Sequence, residues 1–270
     1  MSMMSPADSL AVTIVQPDVV WHDVEANHDR IRRMLDARPP QPGGLIALPE
    51  TVATGFTSEV ELATDADGAT AAWLSQIARD FDCHVTGGLI ATDPLTGLGL
   101  NQAVTVSRDG EEVGRYAKMH RFPLSREADT FAAGEDVEPI EVNGATVCPL
   151  VCYDLRFPET WRRGVGSDVF LCIANWPASR MHHWHALLRA RAIENQAFVV
   201  GVNRTGTDPL VQYAGGSVIY DYDGRALTEL DERPTVAGAT LDLAALRNFR
   251  RKLPFLPAAR RTPRREAAPA

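Results

Sequence analysis

Short apolar runs rich in β-branched residues alternate with amphipathic helical segments along most of this chain, and this alternation limits its possible folds more than any other feature. The dipeptides Asp109-Gly110 and Asp223-Gly224 each lie between two such runs and predict β-hairpins. The segments predicted in the first half are strands Ala11–Gln16, Leu45–Leu48, Val85–Ala91, Asn101–Ser107 and Glu112–Tyr116, and helices over Asp23–Arg38 and Trp73–Phe81.

The second half of the chain repeats this order of segments. Two β-α-β-α-β-β-β halves whose helices cover sheets predict a layered α/β sandwich. A hydrophobic content of 45% with 23% charged residues is that of a globular protein and excludes a mostly disordered chain. The segments predicted in the second half are strands Thr146–Val151, Asp168–Ala174, Phe198–Asn203, Ser217–Tyr220, Ala226–Leu230 and Val236–Leu241, a helix from Pro158 and a helix over Met181–Asn195.

The distribution of charge argues against a nucleic-acid partner. The net charge is −8, with −13 over residues 1–250 and +5 over residues 251–270. Phosphate contacts need clustered cations, which the acidic body does not provide. Because no low-complexity linker divides the chain, we expect one domain over residues 1–255. Prolines interrupt the basic end, so we expect residues 256–270 to form a flexible tail.

The N-terminus and the cysteines predict a cytoplasmic protein. Met1–Leu10 contains no basic segment followed by an apolar run, so no signal peptide is visible. No apolar stretch reaches the roughly eighteen residues that a membrane span requires, and we expect no membrane partner. Four cysteines in a chain without an export signal are expected to be reduced thiols rather than disulfides.

Glu50 is the first candidate for chemistry. It follows the predicted strand Leu45–Leu48 and precedes the turn-like pair Thr54-Gly55. Proteins of the α/β class place functional residues in loops at the carboxyl edge of a sheet, and a desolvated glutamate there suits general-base catalysis. The alternative is a solvated loop acid, which is the commoner environment of glutamate.

Lys118 is the second candidate, at the end of the second hairpin strand. A half-buried lysine there could stabilise a developing oxyanion, although a surface lysine with its charge in water is the commoner case. Glu127, nine residues further on, stands between Arg126 and Asp129. Taken alone, that run of charges favours a solvated surface.

Cys152 is the third candidate, because it ends a hydrophobic strand and precedes a helix that starts near Pro158. A strand-turn-helix context is where nucleophiles are held at a sharp turn, with backbone N–H groups nearby to bind an oxyanion. A nearby lysine could depress the pKa of the thiol. The alternative is a buried core cysteine, which we predict for Cys83, Cys148 and Cys172.

Histidines and metals offer a weaker explanation of the sequence. His120 and the group His182, His183 and His185 are the candidates for a Cys–His pair, but we expect the group to cap a helix or line a pocket. A zinc site needs paired cysteines or a histidine pattern with a carboxylate, and neither is present. With no glycine-rich phosphate loop either, the sequence predicts neither a metal nor a cofactor.

Taken together, the three candidate stretches resemble the nitrilase superfamily of carbon–nitrogen hydrolases, over about Ala11–Phe255. Members carry a Glu-Lys-Cys catalytic set and a second glutamate, which here is Glu127, seven residues before Gly134. The resemblance implies a four-layer α-β-β-α sandwich and a homodimer. The motifs that carry the resemblance read Leu48-Pro49-Glu50, Tyr116-Ala117-Lys118-Met119-His120 and Cys152-Tyr153-Asp154-Leu155-Arg156-Phe157-Pro158-Glu159.

Two further features indicate the branch of the superfamily. Tyr153-Asp154 after the cysteine is similar to amidases rather than nitrile hydrolysers. The stretches Ala174–Ala178 and Ala190–Gln196 are most similar to bacterial omega-amidases, which act on 2-oxoglutaramate. Arg121 departs from the pattern, because many relatives have an apolar residue there.

The resemblance also implies roles for the candidate residues. Glu50 would take the proton of the Cys152 thiol, and the thiolate would attack a terminal amide carbonyl. Lys118 and the backbone N–H of Tyr153 would bind the oxyanion. Ammonia would leave, and water activated by Glu50 would cleave the thioester. Glu127 would orient Lys118 or the substrate amide.

The substrate side of the site is predicted from the same stretches. We expect Tyr153, Asn175, Trp176 and Arg180 to bind a small amide substrate, and Arg156 to order its loop through ion pairs. Another small amide, such as deaminated glutathione or an N-carbamoyl compound, is an alternative substrate. A non-catalytic binding protein of the same fold is a third hypothesis.

Overall fold

Two six-stranded sheets organise the part of the chain that the computed structural model describes, residues 8–258. Of the predicted tail, only residues 256–258 lie within that range; residues 259–270 lie outside the described residues. In chain order the strands are β1 Ser9–Gln16, β2 Leu45–Ala47, β3 His84–Thr92, β4 Gly99–Val106, β5 Glu112–Ala117, β6 Ile140–Val142, β7 Ala145–Val151, β8 Val169–Ile173, β9 Phe198–Val202, β10 Thr205–Thr207, β11 Gln212–Ala214, β12 Val218–Tyr220, β13 Ala226–Glu229 and β14 Thr235–Asp242.

The helices follow from local signals in the sequence. Asp23 caps the first helix by accepting the backbone N–H of Ala26, and Pro158 occupies the first turn of the helix that it starts. None of the described helices has the length and apolar character needed to cross a bilayer. The helices are α1 Val24–Ala37, α2 Val60–Ala63, α3 Ala69–Phe81, α4 Glu127–Thr130, α5 Pro158–Arg163, α6 Met181–Asn195 and α7 Leu243–Lys252.

The predicted four layers are confirmed. The first sheet has the order β14-β1-β2-β3-β4-β5, and α1 and α3 pack on its outer face through residues such as Leu35 and Leu74. The second sheet has the order β13-β12-β9-β8-β7-β6, covered by α5 and α6 through Trp161 and Trp184. The inner faces of the two sheets pack together and form the largest apolar core of the described residues.

Parallel pairing at the centre of each sheet brings the strand ends together. Strands β1, β2 and β3 run parallel, as do β7, β8 and β9. The carboxyl ends of parallel strands meet at one edge of a sheet. Glu50 follows β2, Cys152 follows β7 and Asn175 follows β8, so these residues lie at those edges.

The structure differs from the predicted topology in the partner of β14 and in three strands that were not predicted, β6, β10 and β11. β14 was expected to complete the second half, but it pairs antiparallel with β1 from Ser9–Asp242 to Gln16–Thr235. This pairing satisfies the backbone groups along a strand that would otherwise be a sheet edge. β6 was not predicted, and it forms a hairpin with β7 around Asn143-Gly144, where both residues have positive φ.

Candidate active site

Three of the four predicted catalytic residues line one cavity of about 870 Å³: Glu50, Lys118 and Cys152. Glu127 lies behind Lys118 and is fully buried. The chain therefore brings an acid, an ammonium and a thiol together from three distant stretches of sequence, with a second carboxylate beneath them. The solvated-charge alternatives for Glu50, Lys118 and Glu127 are wrong, because none of the three is more than 3% exposed.

Cys152 is held at a strained turn at the end of β7. Its φ of 46° lies in the left-handed region, which is unfavourable for a residue with a side chain. It begins a 3-10 turn over Cys152–Arg156, and the first N–H groups of such a turn, including that of Tyr153, have no acceptor within it. The predicted sharp turn at the candidate nucleophile is confirmed.

Glu50 is fixed by donors on both of its carboxylate oxygens. Oε1 accepts the side-chain amide of Asn101 at 2.7 Å, and Oε2 accepts the backbone N–H of Asn175 at 2.7 Å. The neighbouring strand β3 approaches closely, since a Cβ at Gly88 would lie 2.5 Å from the Cα of Glu50. Only glycine at position 88 allows the loop to hold Glu50 this close to the sheet.

Lys118 lies between the two glutamates. Its Nζ is 2.9 Å from Oε1 of Glu127 and 3.4 Å from Oε1 of Glu50. Burial opposes its charge, but the two carboxylates outweigh this effect and raise the pKa of the ammonium. The backbone is fixed as well, because the Lys118 carbonyl accepts the N–H of Gly134, where a Cβ would clash with the carbonyl of Ala117.

Glu127 opens α4 and contacts the lysine through both oxygens. Lys118 donates to its Oε1 at 2.9 Å and to its Oε2 at 3.1 Å. Oε2 also accepts the backbone N–H of Phe122, which attaches the loop after the lysine strand to this carboxylate. Arg121 braces the same loop by donating to the carbonyls of Ala128 and Phe131.

The thiol of Cys152 does not have the depressed pKa that a lysine neighbour suggested. Burial and the negative charge of Glu50 raise its pKa well above the ordinary value, and Lys118 lowers it only in part. The sequence-based expectation was right about the direction of the lysine's influence and wrong about the net result. A thiol of this kind needs a base, and Glu50 is the carboxylate whose charge acts most strongly on it.

Comparisons with known proteins agree with this geometry. The chain matches the carbon–nitrogen hydrolase family over residues 11–251. Omega-amidase YafV of Escherichia coli K12 is 36% identical over 248 residues, which cover 91% of this chain and 94% of that protein. The 2-oxoglutaramate amidase of Bacillus subtilis is 34% identical over 214 residues, 78% of this chain and 82% of that protein.

A solved structure shares the fold. A CN-hydrolase superfamily protein from Xanthomonas campestris matches with a TM-score of 0.87 and 34% identity, covering 93% of this chain and 97% of that one. The chain belongs to the carbon–nitrogen hydrolase family. The predicted resemblance to the nitrilase superfamily is thereby confirmed.

The residues predicted to bind substrate in this carbon–nitrogen hydrolase all line the cavity: Tyr153, Asn175, Trp176 and Arg180. Asn175 also holds the loop of Glu50, since its side-chain nitrogen donates to the carbonyl of Glu50 at 3.0 Å and to the hydroxyl of Thr51 at 2.7 Å. The ring of Trp176 is almost entirely buried, and its Nε1–H donates to the carbonyl of Arg180. The guanidinium of Arg180 lies over the ring of Phe122.

Arg156 was expected to order its loop through ion pairs, and this prediction is wrong. No carboxylate lies within salt-bridge distance of Arg156 in residues 8–258. Its guanidinium stacks on Trp176 at 4.9 Å and lies 3.2 Å from Nδ1 of His183. Arg156 also lines the cavity, so its charge faces the site and is not neutralised by a carboxylate of the described residues.

The remaining cysteines have the structural role that was predicted for them, but the histidine group does not: no described side chain caps the start of α6, and none of the three histidines lines the cavity. Cys83, Cys148 and Cys172 are fully buried core residues, and all four cysteines are unpaired. Within the histidine group, His183 contacts Arg156 and His185 lies 3.4 Å from the hydroxyl of Tyr220.

Sequence reasoning missed several residues that position the site. Asp154 accepts hydrogen bonds from the Tyr116 hydroxyl and the His120 backbone, which joins the lysine strand to the nucleophile turn. Asn101 donates to Glu50, and Asn203 holds the Trp176 backbone through both of its amide atoms. Their only signal in the sequence is a polar residue within an apolar strand, for Asn101, or shortly after one, for Asp154 and Asn203.

Proposed function

We propose that this chain is a thiol-dependent amidase that hydrolyses the terminal amide of a small omega-amidodicarboxylate, such as 2-oxoglutaramate, to the acid and ammonia. The observation that carries this proposal is the meeting of Glu50, Lys118 and Cys152 in one cavity, with Glu127 behind the lysine. Membership of the carbon–nitrogen hydrolase family supports an amide substrate, as do the relatives named omega-amidase and 2-oxoglutaramate amidase.

Acylation begins when Glu50 accepts the thiol proton and Sγ of Cys152 forms a bond to the amide carbonyl carbon. The ammonium of Lys118 and the N–H of Tyr153 stabilise the oxyanion. The C–N bond then breaks, and nitrogen leaves as ammonia with the proton that Glu50 returns. The acyl group remains on Cys152 as a thioester. Glu127 keeps Lys118 in place throughout.

Deacylation uses the same carboxylate. A water molecule gives one proton to Glu50 while its oxygen bonds to the thioester carbonyl carbon. The C–S bond breaks, Cys152 regains its proton from Glu50, and the carboxylic acid is released. One water is consumed, and the enzyme returns to its starting protonation state.

Two arginines in the cavity favour a substrate that carries a carboxylate. Arg156 and Arg180 have aromatic neighbours at 4.9 and 5.3 Å, and neither is paired with a carboxylate among the described residues. An unpaired guanidinium in a cavity is suited to bidentate recognition of a carboxylate. This supports an omega-amidodicarboxylate over a neutral amide.

The size of the cavity favours a second candidate. A volume of about 870 Å³ falls within the range of pockets that bind drug-sized ligands, far above the needs of a five-carbon amide. Aromatic and apolar residues such as Phe56, Phe122 and Leu210 are among the residues that line it. A larger amide with a carboxylate, such as deaminated glutathione, would use the same catalytic residues and more of this space.

Mass spectrometry of the intact protein after brief incubation with substrate tests the proposal. We expect an acyl adduct on Cys152, and a Cys152→Ala variant that folds normally but neither forms the adduct nor releases ammonia. Turnover that survives in C152A would contradict the mechanism. A panel of 2-oxoglutaramate, deaminated glutathione and N-carbamoyl compounds then identifies the substrate, and no ammonia from any of them would favour a binding protein.

We further propose that the protein is a cytoplasmic homodimer. Ile193 on α6 and Leu227 on β13 are exposed apolar side chains on the outside of the second sheet and its helix layer. Burial of such side chains against a second copy would remove apolar surface from water. Light scattering of the purified protein at micromolar concentration tests this, and a monomer mass would contradict it.

A further inference from the structure

Asn101 is a polar side chain on the inner face of β4. It is 2% exposed, and the next residue on the same face, Ala103, belongs to the core between the two sheets. Gln102 and Val104 alternate with them and point toward the opposite face. The amide of Asn101 therefore stands where that core meets the catalytic carboxylates.

Three of the four proposed catalytic residues contact Asn101. Its side-chain nitrogen donates to Oε1 of Glu50 at 2.7 Å and lies 3.5 Å from Oε1 of Glu127. Its backbone carbonyl accepts the N–H of Lys118 at 2.8 Å. One residue thus connects both carboxylates with the strand that carries the ammonium.

At Glu50, Asn101 is a closer donor than the lysine. Lys118 is 3.4 Å from Oε1 of Glu50 and turns toward Glu127, so the 2.7 Å bond from Asn101 is the shorter contact at that oxygen. Oε2 accepts the backbone N–H of Asn175 at 2.7 Å. Each oxygen of Glu50 therefore has one short, uncharged donor, and such donors favour the ionised carboxylate and fix its plane.

The side-chain oxygen of Asn101 indicates that this residue is placed for its contacts with the site and not for the stability of the fold. Its oxygen would be repelled by the two carboxylates, so the nitrogen faces them. The oxygen is then buried without a hydrogen-bond partner in the described part of the chain. A buried acceptor without a partner lowers stability, so an apolar residue would suit the core better at this position.

We propose that Asn101 is a positioning residue for the general base, holding Glu50 in the orientation and ionised form that accept the proton of Cys152. The thiol proton moves to the carboxylate of Glu50, which gives a thiolate and a carboxylic acid, while Asn101 neither gains nor loses a proton. This inference rests on the proposed function, because it requires Glu50 to act as the base.

The test is the pH dependence of Cys152 alkylation by iodoacetamide between about pH 3.5 and pH 9, followed by peptide mass spectrometry. Asn101→Leu removes the donor at similar size, and Asn101→Asp keeps the shape but adds a third carboxylate. Both changes favour protonated Glu50. The acid limb is the low-pH part of the profile, where the alkylation rate falls as the pH falls. We expect the midpoint of this limb to move up by about one pH unit or more, so that alkylation at a given pH on the limb becomes about tenfold slower. The shift should be larger in N101D than in N101L.

Gln102→Leu is the matched control, because Gln102 is equally buried on the opposite face of the same strand. A general loss of packing would slow alkylation at every pH in all three variants without moving the limb. If Q102L keeps the wild-type midpoint while N101L and N101D shift it, the role of Asn101 is supported. A wild-type limb that both Asn101 variants leave in place would overturn this role alone. A wild-type rate that rises into the alkaline range without levelling off in the neutral range would overturn the proposed function as well.

Discussion

Lys118 donates to both carboxylate oxygens of Glu127, at 2.9 and 3.1 Å, and both side chains are buried. Lys118→Met keeps most of the length of the side chain and removes its charge, so Glu50 and Glu127 would face each other without a cation. Removal of one partner from a buried ion pair costs about 3–5 kcal/mol. We expect the free energy of unfolding of K118M to fall by this amount at neutral pH, as measured by urea denaturation.

The pH dependence of this loss has a definite sign. Burial opposes the charge, but the two carboxylates raise the pKa of Lys118 on folding, so its stabilising effect is complete below the unfolded value of about 10.4. That effect is lost only as the pH rises through the higher folded pKa. Lys252, the other lysine in the sequence, is exposed and provides the control variant K252M. A loss in K118M no larger than in K252M would contradict the prediction.

The relationship between Glu50 and the Cys152 thiol gives a second prediction. Burial and the charge of Glu50 raise the pKa of this thiol, so little thiolate forms at pH 7 without a base. In the wild type, alkylation of Cys152 should level off in the neutral range, because ionised Glu50 accepts the proton. In Glu50→Gln, burial still raises the thiol pKa, and the rate should climb beyond about pH 9.

Iodoacetamide labelling followed by peptide mass spectrometry measures this difference. Cys83, Cys148 and Cys172 are fully buried and serve as internal controls, since they should remain unlabelled in the folded protein. Identical pH profiles for the wild type and E50Q would rule out Glu50 as the base for Cys152.

Asp154 supports a third prediction, about stability. Its carboxylate accepts the hydroxyl of Tyr116 at 2.7 Å and the backbone N–H of His120 at 2.9 Å, and these residues lie two positions before and after Lys118 in the sequence. Asp154→Ala leaves both donors without their acceptor, at about 1–3 kcal/mol for each buried group. We expect D154A to lose roughly 3 kcal/mol or more of unfolding free energy, and Tyr116→Phe about 1 kcal/mol.

The hydrogen bonds from Tyr116 and His120 to Asp154 form a clamp between two stretches of chain. A double-mutant cycle distinguishes the loss of this clamp from a general loss of packing in the core. Because the Tyr116 hydroxyl has Asp154 as its acceptor, the loss in the combined variant should be smaller than the sum of the single losses, with a coupling of about 1 kcal/mol. Additive losses would indicate that the two side chains act independently, against the clamp.

The elements of the fold could be read from the sequence because their signals are local. Helix α6 begins and ends where its pattern predicts, at Met181 and Asn195, and both Asp-Gly dipeptides form hairpins. The position of β14 could not be read in this way. Its pairing with β1 joins residues more than two hundred positions apart, and alternation within a strand does not specify the partner strand.

The candidate site was predictable only in part, for a related reason. Glu50, Lys118 and Cys152 stand in recognisable local contexts at strand ends, so their motifs could be found one at a time. Asn101 and Asp154 act through hydrogen bonds to residues that are distant in sequence, and a single polar residue in a strand or turn carries no sign of its partner. The net pKa of Cys152 depends on burial, which sequence does not quantify.

The last prediction concerns Arg180, whose guanidinium lies over Phe122 and has no carboxylate partner within residues 8–258. If it binds the substrate's distant carboxylate, Arg180→Gln should raise KM for a carboxylate-bearing amide such as succinamate by about tenfold or more, since a charge-assisted hydrogen bond contributes about 1.5–3 kcal/mol. Hydrolysis of butyramide, which lacks the carboxylate, should change little. Arg126→Gln is the control, because Arg126 is an exposed arginine of the same cavity. An equal rise in KM for both amides in R180Q would mean that Arg180 shapes the cavity without binding the carboxylate.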